Sequence, residues 1–172
     1  MGLDLINGIP AHVLFVHVVV VLVPLTALAL ICCAVFPAAL RRVGIALPVL
    51  ALVSLVSVPL TTSAGELLER RVDSDPPVRA HTELGDGLLP WALGLFLVSA
   101  AVWWFLHRRT AHRTAAAAGA TGAVALPLRV TAVVLSLVVG IGAGVQVVRI
   151  GDSGAKAAWH DGFSASAHAD RG

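Results

Sequence analysis

Residues 11–36 read AHVLFVHVVVVLVPLTALALICCAVF. The run carries no acid, lysine or arginine, and it exceeds the about 20 apolar residues that a helix needs to cross a bilayer. It holds one anomaly. His17 lies about 9 Å below the start of that helix at a rise of about 1.5 Å per residue. An imidazole at that depth needs a partner, and ionisable residues inside a membrane segment are functional-site candidates by default.

Three further stretches match the first in character, at about residues 43–64, 87–106 and 123–148. The chain has 172 residues, 58% of them hydrophobic and 13% charged, against about a quarter charged in soluble domains. Its mean hydropathy is +0.89. Little remains from which to build a separate soluble domain. The expected fold is all-α: an integral membrane antiparallel four-helix bundle over residues 11–150, with an interfacial lead-in at 1–10 and an outer tail at 151–172. Short connections make consecutive spans antiparallel neighbours.

The N-terminus does not read as a secretory signal. It carries Asp4 but no basic residue before the apolar run, and that run is too long for a signal h-region. The first span is therefore expected to be retained. Arg41 and Arg42 follow it; Arg108, Arg109 and Arg113 follow span three, with Arg129 just inside span four. Because the first span usually dominates the positive-inside rule, both termini are expected outside the plasma (inner) membrane. The whole-chain count is even, since Arg70, Arg71, Arg79, Arg149, Lys156 and Arg171 fall on the other side. All ten acidic residues fall on that outer side as well.

Cys32 and Cys33 are adjacent and cannot easily meet disulfide geometry, so they read as small packing residues. Pro48 and Pro59 predict kinks in span two. Asp75-Pro76-Pro77 reads as an N-cap followed by proline in the first turn. Span three is thus expected to begin outside the bilayer, on a helical extension carrying Arg79, His81, Glu83 and Asp86. Trp91, Trp103 and Trp104 mark its two interfaces. Residues 110–123 read as an Ala- and Gly-rich inner linker. In span four, Gly140 and Gly144 have GxxxG spacing, which points to close helix packing or a homo-oligomer. Residues from Gly151 to His160 are expected to form a short outer-surface helix, with disorder beyond Phe163.

Antiparallel spans gather scattered polar residues at one end of the bundle. His12 and His17 come from span one, Glu66 from the end of span two, His81, Glu83 and Asp86 from before span three, and Asp152 and His160 from after span four. His107 and His112 fall at the other end, beside arginines, and read as interfacial groups. His12 and His17 are about 7.5 Å apart along the axis and about 140° apart around it. They cannot both face one small ion, and the spacing differs from the i, i+3 or i, i+4 of side chains on adjacent turns. A large planar cofactor suits it better, because haem iron takes axial histidines from facing helices of a bundle. His17 with His81 is the preferred ligand pair, and His12 with His81 the alternative. Glu66 and Asp86 are candidates to orient a ligating ring by hydrogen bonding. The competing structural readings are that His17 bonds a backbone carbonyl, Thr61 or Glu66 across the bundle, and that Glu66 pairs with Arg70 at i+4.

The stretch Asn7-Gly8-Ile9-Pro10-Ala11-His12-Val13-Leu14-Phe15-Val16-His17, followed by Leu22-Val23-Pro24-Leu25-Thr26, resembles a family of bacterial four-span membrane proteins, domain of unknown function 2231. Its members typically open span one with a proline, a histidine and a second histidine five residues on, and carry another histidine leading into span three. His12, His17 and His81 stand at the matching positions. The resemblance covers roughly residues 8 to 159. It implies an integral membrane protein with no established activity and, by likeness to cytochrome b-type bundles, a haem b site. Spans two and four lack obvious paired histidines, which departs from a two-haem, four-histidine arrangement. The use of Arg over Lys, with Lys156 the single lysine, and the abundant Ala and Val suggest a high-GC bacterium.

The leading functional reading is a haem b protein with its site near the outer face, exchanging electrons with a quinone or a partner redox protein. Covalent haem attachment is not expected without a Cys-x-x-Cys-His motif. A second reading is a non-catalytic accessory or structural subunit whose polar cluster fixes helix register. A third is a membrane enzyme holding zinc with His12, His81, Glu66 and Asp86, although the chain has no HExxH motif. Nucleic acid is not an expected partner: the formal net charge is +2, and the basic residues flank the membrane instead of forming a stripe.

Overall fold

A computed structural model of the chain describes residues 5–6, 9–69, 76–115 and 125–159. Arg70, Asp75, His160 and the tail beyond Trp159 lie outside the described residues, together with the ion-pair, N-cap and metal readings attached to them.

A two-residue antiparallel backbone pairing, β1 (Leu5–Ile6) with β2 (Ile9–Pro10), leads into α1 (Ala11–Val35). The helix stops at Phe36, whose backbone is extended at φ −111 and ψ 101, because a residue before proline is pushed out of the helical region. Pro37 then opens α2 (Pro37–Val43), where a first-turn residue needs no N–H. This short helix ends at Gly44, whose φ of 54° is a left-handed value that glycine adopts without strain. Arg41 and Arg42 fill its last turn, where cations suit the helix dipole.

The chain continues through α3 (Ala46–Glu69), α4 (Pro76–Asp86), α5 (Leu89–Ala115) and α6 (Ala125–Trp159). Four stretches are long and apolar enough to cross a membrane: α1, α3, α6 and the one containing α5. α1 packs on α3 and α6, and α5 closes the ring against the same two helices. The protein is an all-α membrane helical bundle.

Two junctions differ from the sequence expectation. The extension before span three is a separate helix, broken from α5 at Gly87–Leu88. Pro90 accounts for the break: it has no N–H for the Asp86 carbonyl, so an unbroken helix would leave that group unpaired. Instead the Leu88 N–H bonds the Gly85 carbonyl at 3.1 Å, and Ala92 restarts the ladder on Leu88 at 3.0 Å. Conversely, the segment from Gly151 to Trp159 is no separate surface helix. α6 runs unbroken for 35 residues, about 52 Å at 1.5 Å per residue, so it overshoots a hydrocarbon core of about 30 Å. Its last turns lie beside α4.

Val23, Leu30, Leu47, Val58, Leu95 and Ala143 form the interior, while Val21, Leu28, Val138 and Val148 are exposed on the outward faces. Such an apolar exterior belongs in lipid, where helices satisfy their own backbone groups. Gly140 lets α6 approach Ile31 and Ala27 of α1, and the Trp91 ring of α5 occupies the space that a side chain on Gly142 would fill. Gly144 has open space beside it, so Gly140 and Gly144 do not share one free face. At the α2 end of the bundle, Arg129 of α6 donates to the Val35 carbonyl at 2.8 Å and closes the last turn of α1.

Candidate functional site

At the opposite end, where α4 lies, a cavity of about 220 Å³ opens between α1, α3, α4 and α6. Its walls carry His12, Glu66, Glu69, His81 and Asp86, above apolar surface from Val16, Val19, Val58 and Val147.

His12 opens α1 and is half-buried. Its Nδ1 lies 3.0 Å from the Thr61 carbonyl of α3. A carbonyl only accepts, so the proton sits on Nδ1 and Nε2 keeps its lone pair. Gly65, one turn further along α3, makes room for the ring; a Cβ there would stand 3.0 Å from it.

His81 reaches the same cavity from α4. Its Nδ1 lies 3.0 Å from Ser153 Oγ on α6, and a Cβ on Gly154 would stand 3.0 Å from its Cε1. Gln146 of α6 holds α4 in place by donating to the Leu84 carbonyl at 2.7 Å. The His12 and His81 rings stand at 87° with centroids 6.2 Å apart. α4 is polar and precedes the membrane-crossing part of its stretch. There, burial first and the neighbouring His12 second push the His81 pKa below its ordinary value, against a smaller opposing effect of the Ile150 carbonyl.

His17 does not join this pair. Its side chain is exposed, and Nδ1 donates to the Val13 carbonyl one turn back at 2.6 Å. The separation of about 140° means that turning His12 inward turns His17 outward. The ring at that depth finds its partner within its own helix, while His12 makes the cross-helix bond to Thr61. The histidine pair assembled by the fold is His12 with His81.

Glu66 and Asp86 line the cavity with exposed side chains, but Thr61 and Ser153 hold the two rings. Among the described residues, no group of three or more His, Cys, Asp or Glu stands close enough to hold a metal ion. Glu69, Gly65, Ser153, Gly154 and Gln146 escaped the sequence reading. The reach of α6 past Val148 was legible in the lack of a proline there, but nothing local marked Ser153 and Gly154 as a seat for His81. Gly65 had no local signal either, because its role depends on which histidine faces it.

No curated protein and no solved structure matches the chain. A family described as "Predicted membrane protein (DUF2231)" matches residues 8–167, a span that contains His12, His81, Ser153 and every helix described above. Since the match takes in nearly the whole bundle and both ends of the histidine pair, the chain belongs to this domain of unknown function 2231 family of membrane proteins.

Proposed function

We propose that this membrane protein binds one b-type haem between His12 and His81 and serves electron transfer. The observation that carries the reading is the pair of imidazoles from separate helices, each anchored through Nδ1, with ring centres 6.2 Å apart. His12 and His81 would be the residues to hold the group, each through the ring nitrogen that its Nδ1 contact leaves free. The donor chemistry would suit haem iron, which takes histidine nitrogens from the protein as ligands. Structural zinc takes four protein ligands and catalytic zinc three, and no such group stands among the described residues. Gly65 and Gly154 keep side chains off both rings.

Haem bound there supplies a one-electron couple. Thr61 and Ser153 orient the two rings, and Val16, Val19 and Val58 keep the cavity floor apolar. Glu66, Glu69 and Asp86 set negative charge around the cavity, which favours the more positive, oxidised iron. With both termini outside, as Arg41 and Arg42 after the first span favour, the cavity faces the outer surface of the plasma membrane. A quinone or a partner redox protein would exchange electrons at that surface.

Absorption spectroscopy of the detergent-purified protein tests the reading. A Soret band is expected, lost in both His12→Ala and His81→Ala. Folded but colourless protein that co-purifies with a larger complex would replace this reading with that of an accessory subunit.

A further inference from the structure

A serine hydroxyl has one proton to give. Ser153 Oγ lies 2.9 Å from the Ile150 carbonyl, three residues back on α6, and 3.0 Å from His81 Nδ1. A carbonyl oxygen has no proton of its own, so the contact with Ile150 uses the one on Ser153. The contact with His81 must then run the other way, with the imidazole donating. Gly154 keeps the space beside the ring free of a Cβ, which would stand 3.0 Å from Cε1.

We infer that Ser153 is a positioning residue for the site: its hydroxyl accepts the Nδ1 proton of His81 and holds the ring in the tautomer whose Nε2 carries the lone pair. His12 needs no such device, because its partner is a carbonyl that can only accept. His81 Nδ1 is in contact with a hydroxyl, whose role is set by what it donates to, and the Ile150 carbonyl that takes the hydroxyl proton also lies near the ring. The Ile150–Ser153–Gly154 turn of α6 therefore decides whether α4 presents a ligand nitrogen or an N–H to the cavity. A ligating histidine that donates its other N–H is a stronger base toward the metal, and loss of such a partner typically weakens metal binding about 10–100-fold.

The inference deepens the haem reading for its redox consequence, but its first readout needs no cofactor. Nitrogen NMR of histidine-labelled, cofactor-free protein in detergent at about pH 8, where imidazoles are neutral, reads the tautomer directly. The His81 signal is assigned by its absence in His81→Gln. The Nδ1–H form is expected in the unmodified protein and in Ser153→Thr, with a shift towards Nε2–H in Ser153→Ala. A predominant Nε2–H form in the unmodified protein overturns the inference, and that measurement needs no variant to fold. An unchanged tautomer in Ser153→Ala overturns it as well. In haem-loaded protein, Ser153→Ala should hold haem at least about tenfold more weakly, with recovery in Ser153→Thr. If no haem binds at all, the haem reading fails while the tautomer result stands on its own.

Discussion

The imidazoles of His12 and His81 stand perpendicular with 6.2 Å between ring centres, although one opens α1 and the other sits on a separate helix outside the membrane-crossing ring. Each is anchored on its far side by a different element, His12 by Thr61 of α3 and His81 by Ser153 of α6. Their separation therefore depends on four helices at once. It is sensitive to changes that touch neither ring.

The histidines should separate by mutation. His17 bonds the Val13 carbonyl of its own helix, is exposed and does not line the cavity, so His17→Ala should keep the full Soret band of the unmodified protein. His12→Ala should lose it while the far-ultraviolet helical signal persists. Loss of colour in His17→Ala together with its retention in His12→Ala would reverse the assignment.

Glycines that look alike in sequence should behave differently. In Gly65→Ala the new methyl stands 3.0 Å from the His12 ring, whose position is held by the Thr61 bond. Crowding of this kind costs about 1–3 kcal/mol, and haem retention should fall with it. Beside Gly144 nothing lies within 4 Å, so Gly144→Ala should be neutral or gain up to about 1 kcal/mol from helix propensity. Gly142→Ala should be the most damaging of the three, since the Trp91 ring fills the space the methyl would need. Thermal unfolding in detergent ranks them.

Two buried serines offer a second contrast. Ser99 Oγ is fully buried without a hydrogen-bond partner among the described residues, so Ser99→Ala removes a desolvated polar group and should leave stability unchanged or raise it by about 1 kcal/mol. Ser54 shares a 2.8 Å hydrogen bond with Thr26 in the bundle interior. Ser54→Ala should cost about 0.6–2 kcal/mol, the range found for hydrogen bonds between membrane helices.

Acid should loosen the α4 end. Burial and the neighbouring His12 hold His81 below its ordinary value of 6.5, so the folded state resists a proton that the unfolded chain accepts. As pH falls below 6.5 the unfolded state binds that proton first and stability declines. The loss levels off once pH has passed below the folded-state value. Melting temperatures of cofactor-free protein between about pH 5 and 8 should show this slope, and His81→Gln should flatten it.

The Gln146 side chain ties the end of α4 to α6 through the Leu84 carbonyl at 2.7 Å. Gln146→Leu should release about 1 kcal/mol of that attachment and speed amide exchange in α4 several-fold. Exchange in α1 should stay unchanged. Equal acceleration throughout the bundle would mean that Gln146 supports the whole fold and not the α4 attachment.

Hydropathy and spacing determined much of this protein. Long apolar runs must become helices in lipid because no other backbone arrangement of a single segment satisfies its own hydrogen bonds, and that requirement is local to each run. The angle of about 140° between His12 and His17 was equally local, and it already meant that only one of them could face the interior. Which one did so was settled across space, by the carbonyl of Thr61 and the bare Cα of Gly65 on α3. The break at Gly87–Leu88 was latent in Pro90, and the reach of α6 in its lack of a proline after Val148. The seat that Ser153 and Gly154 make for His81 had no local signature, because it exists only where α4 folds back against α6. Sequence by itself dictated the rods and the rotation of residues about each one; tertiary packing chose the rotation of one rod against the next, since that depends on side chains from three other helices meeting in one place.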